Sequence, residues 1–510
     1  MTSRMPRILF NDVTIFDGER TMSNQSVLTQ GQYIKSVQPS DRFSLRSNKE
    51  IEIVDGSGFF LCPGFIDSHI HILSYAASII GVDLSDVKGL GINAFREALG
   101  NASHNVASGD WLRCYSLEAF DESLATALIR DFLDQVVPDI PTIIRFNSGH
   151  GCLLNSLAME KVGLTNTAEE PTGVTFGRNL KDGLLDGMLF EADEFLDSRT
   201  PKLKTSEIRS ALTLANTSFI EKGITTIVDA SENNDVTRFE FISNVISAGI
   251  LKTGIVFMPG YSHFSEFRVS NDIQRFTNSD LKMGPVKIML RMSSGEINPS
   301  YGELERITKE CHDRGFPVAI HAVEQECVSH AINILSTGSM QGDRLEHVSE
   351  LSDQDLDRLR RLSVGVSTQP GFIYVNGDRY MRQSTNDKLT SLYRLRSMID
   401  AGVLVGVSSD APVIKPDPFI ALHSACNRET LSGAYLNPGE SISPSDFLRS
   451  ITSSNAELIG LNETKGRIKE GYQADLVLLD VNPTFTPGDD LKAISVMMTV
   501  IKGDIVYRSR

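Results

Sequence analysis

Phe65-Ile66-Asp67-Ser68-His69-Ile70-His71 closes an apolar run with a His-x-His pair. Side chains alternate between the two faces of a β-strand, so residues i and i+2 point the same way, and His69 and His71 can aim at one ion. Three later apolar runs end alike, in Ala319-Ile320-His321, Leu345-Glu346-His347 and Val407-Ser408-Ser409-Asp410. Neutral imidazole nitrogens and a carboxylate oxygen suit zinc and its first-row neighbours. Such groups, each at the end of its own strand, match a (β/α)8 barrel, which gathers its functional groups at the C-terminal ends of its strands. The expected fold class is therefore α/β with a TIM-like barrel.

Outward from that stretch the strands can be counted. Strand one ends at His71, and the next seven are expected at 225–229, 253–257, 286–290, 318–321, 344–347, 364–367 and 403–408. Helix-like stretches such as 301–314 and 351–362 separate most of them. Alternating strand and helix implies a parallel sheet, and a count of eight suggests closure. The step from His321 to His347 is 347 − 321 = 26 residues, which fits one strand–helix–strand unit. The stretch from His71 to Thr225 holds roughly 150 residues, far too many for a loop. An inserted subdomain at 84–222 is expected there, near the rim that carries the site, with structure at 111–115 and 142–146. Short strands broken by turns are expected at 8–10, 13–15, 33–34 and 51–54. Strands recur at 474–480, 496–501 and, after a Lys502-Gly503-Asp504 turn, 505–507. One small β-domain built from residues 1–60 and 463–510 would flank a barrel spanning 61–462.

A chain of 510 residues, 41% hydrophobic and 22% charged, reads as soluble and globular. A net charge of −16 argues against a nucleic-acid partner, which calls for a basic face. No run approaches the ~18 apolar residues of a membrane span, and the first residues lack the apolar core of a signal peptide. The six cysteines form no Cys-x-x-Cys pair and read as reduced thiols of a cytoplasmic protein. The partner left is a small-molecule substrate.

These segments, taken in order, resemble the amidohydrolase superfamily, specifically its amidohydrolase-3 branch, which includes N-substituted formamide deformylases. Pro63-Gly64-Phe65-Ile66-Asp67-Ser68-His69-Ile70-His71 resembles the family's opening motif. Gly149-His150-Gly151 with Asn155-Ser156-Leu157-Ala158-Met159 resembles a segment peculiar to the branch, as does Pro171-Thr172-Gly173-Val174 with Gly187-Met188-Leu189-Phe190-Glu191. Arg344-Leu345-Glu346-His347, Gln369-Pro370 and Ser408-Ser409-Asp410-Ala411-Pro412 follow in order. The stretch from Gly466-Arg467-Ile468 to Asp475-Leu476-Val477 resembles the family's return into a terminal β-sandwich. The resemblance covers nearly the whole chain and is specific for fold and reaction class, not for substrate.

By this resemblance His69, His71, His321, His347 and Asp410 match metal ligands. Lys287 falls in strand four, where many relatives carry a lysine carboxylated by carbon dioxide, whose carbamate can bridge two ions. Lys287 could instead pair with Asp410 or Glu191, so the resemblance leaves one or two ions open. Zinc is the expected metal, with manganese or iron(II) as alternatives. A bound ion lowers the pKa of its water from 15.7 to about 7. Asp410 would take the proton and pass it to the leaving group, and His347 would be a ligand or an oxyanion donor.

Substrate candidates at the rim are His150, Glu191, Arg291, Glu324, Phe372, Tyr374 and His423, with Arg428 named by position alone. Each has a plainer reading. His150 can cap the helix that begins at Asn155, Arg291 can be a solvated cation, and Glu324 can be a mere neighbour of the strand-five histidine. The sequence departs from the branch after His321, with Ala322-Val323-Glu324-Gln325, and after Lys287, with Arg291-Met292-Ser293-Ser294-Gly295. The expected reaction is hydrolysis of an amide, formamide or related C–N bond. The alternatives are a metal-dependent ester hydrolase, decarboxylase or isomerase on the same barrel, or a non-catalytic scaffold. Family members are often oligomers, which leaves a homo-oligomer open.

Overall fold

The computed structural model describes residues 6–43, 51–87, 90–107, 109–117, 130–146, 151–171, 173–267, 280–293 and 295–509. By contacts the chain forms two compact units, Met1–His71 with Asn216–Arg510, and Ile72–Ala215.

The first unit is built on eight parallel strands: β1 (Phe65–Ile70), β2 (Ile224–Asp229), β3 (Gly254–Phe257), β4 (Val286–Met289), β5 (Val318–Ala322), β6 (Arg344–His347), β7 (Gly365–Thr368) and β8 (Val405–Val407). Almost every residue in them is buried, as expected of parallel strands covered on both faces. β1, β2 and β3 pair side by side, with the short strand Leu281–Met283 beside β3, and β4 to β8 form a second parallel run. The two runs meet at both edges. On one side the Lys287 N–H donates to the Pro259 carbonyl at 2.8 Å. On the other, the Asp410 N–H donates to His69 O at 2.9 Å and the His71 N–H to Ala411 O at 2.8 Å. There Asn455 also donates through Nδ2 to Ile66 O at 2.6 Å and Val407 O at 2.7 Å. Gly406 makes room for this clasp, because a Cβ at that position would sit 2.0 Å from Asn455 Oδ1. The fold is α/β and TIM-barrel-like.

Helices follow or precede the strands in alternation: Val236–Ser247, Tyr301–Asp313, Gln325–Thr337, Asp353–Leu359, Leu395–Asp400 and Pro418–Asn427. Their starts are written locally. Asp235 caps the first by accepting from Arg238 N, and Ser352 caps Asp353–Leu359 by accepting from Asp355 N, satisfying backbone donors that a helix start leaves open. Helix Gln325–Thr337 buries Cys327, Val328, Ala331, Ile332, Ile334 and Leu335 on one stripe. That stripe belongs to the same core as Ile288, Ile320, Leu345 and Val366 from the strands.

Both chain ends share one eight-stranded sheet, running Asp504–Arg508, Val496–Ile501, Leu476–Leu479, Phe60–Pro63, Ile8–Phe16, Thr21–Gln30 and Tyr33–Pro39, with Glu52–Asp55 also paired to Ile8–Phe16. The expected break between 8–10 and 13–15 is instead one strand carrying a bulge. Asp12 has φ of 57° and the register shifts between Phe10 and Val13. A bulge of this kind bends a strand without ending it. Thr21–Gln30 was not expected as a strand at all. Its N-terminal half is polar and partly exposed, and pairing to neighbours on both sides holds it.

The second unit, Ile72–Ala215, carries its own six-stranded sheet in the order Thr175–Arg178, Leu185–Phe190, Gly151–Leu154, Thr142–Phe146, Leu112–Leu117 and Val82–Asp83. The stretches 111–115 and 142–146, where structure is expected, both contribute strands to it, Leu112–Leu117 and Thr142–Phe146. Two apolar clusters build this unit, one around Phe95, Leu99, Phe132 and Leu133, the other around Trp111, Met159, Leu189 and Leu196. Among the described residues no helix is long and apolar enough to cross a membrane.

Candidate metal centre

His69 stands at the end of β1 and His71 just beyond it, so the two-residue repeat brings both rings to the same place, 5.4 Å apart between centroids. Asp410 arrives from three residues past β8. Its φ of 60° lies in the left-handed region, one that aspartate tolerates better than most residues. The His71 Nε2 atom lies 3.0 Å from Asp410 Oδ1, and His69 Nε2 lies 3.5 Å from the same oxygen. One ligand atom from each of His69, His71 and Asp410 lies within 4.8 Å of the other two.

β6 supplies neighbouring residues that reach this cluster despite strand alternation. Glu346 touches His69, and His347, next in sequence, has its ring 4.7 Å from that of His69. The backbone turns left-handed there, with φ of 74° at His347 and 47° at Val348, so the alternation of the strand stops. His347 Nδ1 is 2.9 Å from Gln369 Oε1 and 3.9 Å from Asp410 Oδ2. His321, buried at the end of β5, meets the His347 ring edge-on, with the ring centroids 4.4 Å apart. Lys287 on β4 is buried, with Nζ 3.3 Å from His69 Nε2. The structure thus gathers His69, His71 and Asp410 tightly, sets Lys287 against His69, and places the His347 ring beside His69 with His321 edge-on to it.

Burial dominates the electrostatics. It pushes His69 down to a pKa of about 3, helped by the Lys287 ammonium, and lowers His347 as well. Both rings are neutral at pH 7 and keep a lone pair for a cation. Burial works against the Asp410 carboxylate, but the His71 hydrogen bond and the surrounding imidazoles hold it below the usual range. Burial also lowers Lys287, to about 8, against the upward pull of Glu346 and Asp410. Asp67 is raised to about 6 by burial, in spite of donors from Ser409.

Several supporting residues carried no role in the sequence reading. Glu346 accepts from His69 Nδ1 and is gripped by Arg344. Ser231 lies 3.3 Å from His71 Nδ1 and donates to Asp229 at 2.7 Å. Gln369 bridges His347 and the Ser408 hydroxyl, 2.9 Å from its Nε2. Opposite charges two residues apart on a buried strand, Arg344 and Glu346, were a readable sign of an inward-facing pair.

The rim candidates scatter. Arg291, on a hairpin after β4, is ion-paired with Glu232. Glu324 stands at the start of helix Gln325–Thr337, with its carboxyl beside Cys327. Phe372 packs edge-on to Tyr393 at 6.3 Å. Tyr374 and His423 pack on each other at 5.6 Å, and His423 Nδ1 lies 3.1 Å from the Gly488 carbonyl, so these two belong to a group against the 488–493 turn. Arg428 is fully buried and donates to the backbone carbonyls of Leu392, Tyr393 and Leu436, a structural tie. Glu191 belongs to the second unit, at φ of 52° just after strand Leu185–Phe190. His150 lies outside the described residues.

A model described as "Amidohydrolase family" matches residues 52–507. The chain is 25% identical to an N-substituted formamide deformylase of Arthrobacter pascens, over 96% of each protein. It is 23% identical to the putative amidohydrolase YtcJ of Bacillus subtilis, over 96% of this chain and 97% of that one. Among solved structures, an uncharacterized metal-dependent hydrolase of Pyrococcus horikoshii superimposes with a TM-score of 0.74 at 20% identity, covering 95% of this chain and 99% of that one. A second, from Pyrococcus furiosus, gives 0.71 at 19% identity, over 94% and 100%.

Proposed function

The chain belongs to the amidohydrolase family, and on that premise we propose that it hydrolyses the C–N bond of an amide, formamide or related small molecule with the help of a bound metal. The observation that carries this reading is the meeting of His69, His71 and Asp410 within 4.8 Å. The donor set fits a zinc-like ion: two imidazoles, one anionic carboxylate and a buried amine beside them. Manganese or iron(II) would use the same donors. His69, His71 and Asp410 would hold the metal, with His321, His347 and Lys287, as its carbamate, completing a site for one or two ions. When bound, such a metal makes hydroxide available near neutral pH and polarises the substrate carbonyl.

The rest of the chemistry falls to the chain. Asp410 takes the proton of the attacking water on its carboxylate and hands it to the leaving nitrogen. Gln369 Oε1, accepting at 2.9 Å, leaves the proton of neutral His347 on Nδ1 and its Nε2 as a lone pair, which favours a ligand over an oxyanion donor. Likeness to a formamide deformylase along 96% of the chain supports an N-substituted amide as substrate. The Arg291–Glu232 ion pair offsets the charge with which Arg291 would grip a carboxylate, and so favours a substrate without one.

We further propose a closed (β/α)8 barrel over 61–462, a β-sandwich from 1–60 and 463–510, and an insertion at 84–222. The hydrogen bonds at both seams, the shared terminal sheet and the compact unit Ile72–Ala215 support these divisions. The free cysteines fit a reducing, cytoplasmic setting. The test is a panel of N-substituted formamides, acyl amino acids and aryl esters, assayed with metal-stripped and zinc-restored protein. Zinc-dependent amine release from the amides is expected. Cleavage of esters alone would refute C–N hydrolysis.

A further inference from the structure

We propose that Glu346, gripped by Arg344, is a positioning residue that holds His69 in the tautomer protonated at Nδ1 and so turns its Nε2 lone pair toward the metal. This inference rests on the metal reading above.

The geometry is a chain of three side chains, all without solvent exposure. Glu346 Oε2 meets His69 Nδ1. Arg344, two residues before Glu346 on β6, donates through Nε to Oε1 and through Nη2 to Oε2, the latter at 2.9 Å. The same Nη2 donates at 2.6 Å to the carbonyl of Ser68, the residue before His69. One guanidinium thus fixes both the carboxylate that meets the imidazole and the backbone that carries it.

A carboxylate can only accept, so the neutral ring facing it keeps its proton on Nδ1. The other nitrogen, Nε2, then points a lone pair at Lys287 Nζ, 3.3 Å away, and toward Asp410 Oδ1 at 3.5 Å. Without Glu346 the opposite tautomer gains a partner, because an Nε2–H can donate to Asp410. That tautomer has no lone pair at Nε2 and cannot ligate through it. A ligand's orientation and basicity commonly rest on such an outer carboxylate.

Glu346→Gln separates this role from simple filling of space. The amide has one acceptor oxygen, and Arg344 claims it. The amide N–H then faces His69 Nδ1, makes that nitrogen the acceptor, and moves the ring proton to Nε2.

The test is zinc affinity of the metal-stripped, full-length protein, by competition with a chelator, for wild type, Glu346→Gln and Glu346→Asp. Glu346→Gln is expected to bind zinc roughly 10–100-fold more weakly with an unchanged circular dichroism spectrum, and Glu346→Asp to recover part of the loss. Wild-type affinity in a folded Glu346→Gln overturns the positioning role. A wild-type protein that binds no zinc overturns the metal reading instead. Should Glu346→Gln fail to fold around the uncompensated Arg344, the double variant Arg344→Met/Glu346→Met, which leaves no side-chain acceptor at position 346 for His69 Nδ1, is read in the same way. Nitrogen-15 histidine spectra of wild-type, metal-free protein give a readout free of any variant of Glu346. A His69 proton on Nδ1 is expected, and one on Nε2 overturns the proposal.

Discussion

His71 and Asp410 stand 339 residues apart in the chain and face each other across 3.0 Å, Nε2 to Oδ1. The contact is anchored from behind, because the Asp410 N–H donates to the carbonyl of His69 at 2.9 Å. The strand that carries the histidines therefore also fixes the carboxylate. If that carboxylate is the proton acceptor, Asp410→Asn keeps the shape and removes the base. We expect kcat to fall by roughly 10²–10⁴-fold in protein reloaded with zinc to the wild-type content, since the substitution also weakens one of the three proposed ligands. Turnover near the wild-type rate would remove Asp410 from the proton path.

On the proposed reading, Lys287 decides how many ions the site holds. A cationic lysine cannot ligate, whereas its carbamate offers two oxygens. Elemental analysis of zinc-restored protein is expected to give two ions per chain in wild type and one or none in Lys287→Met. A single ion in both would make the site mononuclear, with Lys287 a structural or substrate contact.

The same lysine shapes stability in alkali. Burial holds its pKa at about 8, against an ordinary 10.5. Between those values the native, metal-free protein binds fewer protons than the unfolded chain, so stability rises as pH climbs through that window. Below about 8 both states hold the proton and the slope from this group vanishes. In chelator-treated protein, Lys287→Met should lack this alkaline gain when melting curves are compared across the window. Parallel curves would contradict the assignment.

Arg428 is expected to matter for folding and not for chemistry. It is buried in a left-handed conformation, φ of 59°, and satisfies three backbone carbonyls at 2.8–3.0 Å. Arg428→Met strands those acceptors at roughly 1–3 kcal/mol each, so a loss of about 3 kcal/mol or more is expected in denaturant midpoints. Zinc affinity of the folded fraction should not change. A stable variant that binds zinc poorly would reverse this assignment.

The strands ending in His69, His321 and His347, and the run before Asp410, were legible because apolar runs closed by polar groups are local patterns. The supporting contacts were not. Glu346 meets His69 across 277 residues of sequence, and nothing in either segment names the other. The left-handed turns at His347 and Asp410 were equally hidden, since neither involves glycine. Tyr374 and His423 are rim candidates only by their place after β7 and β8, and neither segment signals that the two rings pack on each other or that His423 Nδ1 meets the Gly488 carbonyl. At the chain start, Thr21–Gln30 escaped notice because its polar half lacks alternation, and its strand character comes from its two neighbours.

Asn455 joins the first strand to the eighth, binding Ile66 O and Val407 O at once. Its place late in the chain has a consequence for synthesis. A growing polypeptide that has released His69 and His71 has neither the carboxylate that faces them nor the amide that closes the seam. On the proposed reading, hydrolytic capacity would therefore arise late in translation, after most of the protein has emerged. A prematurely terminated product lacking these segments would be an inert fragment, not a half-working enzyme.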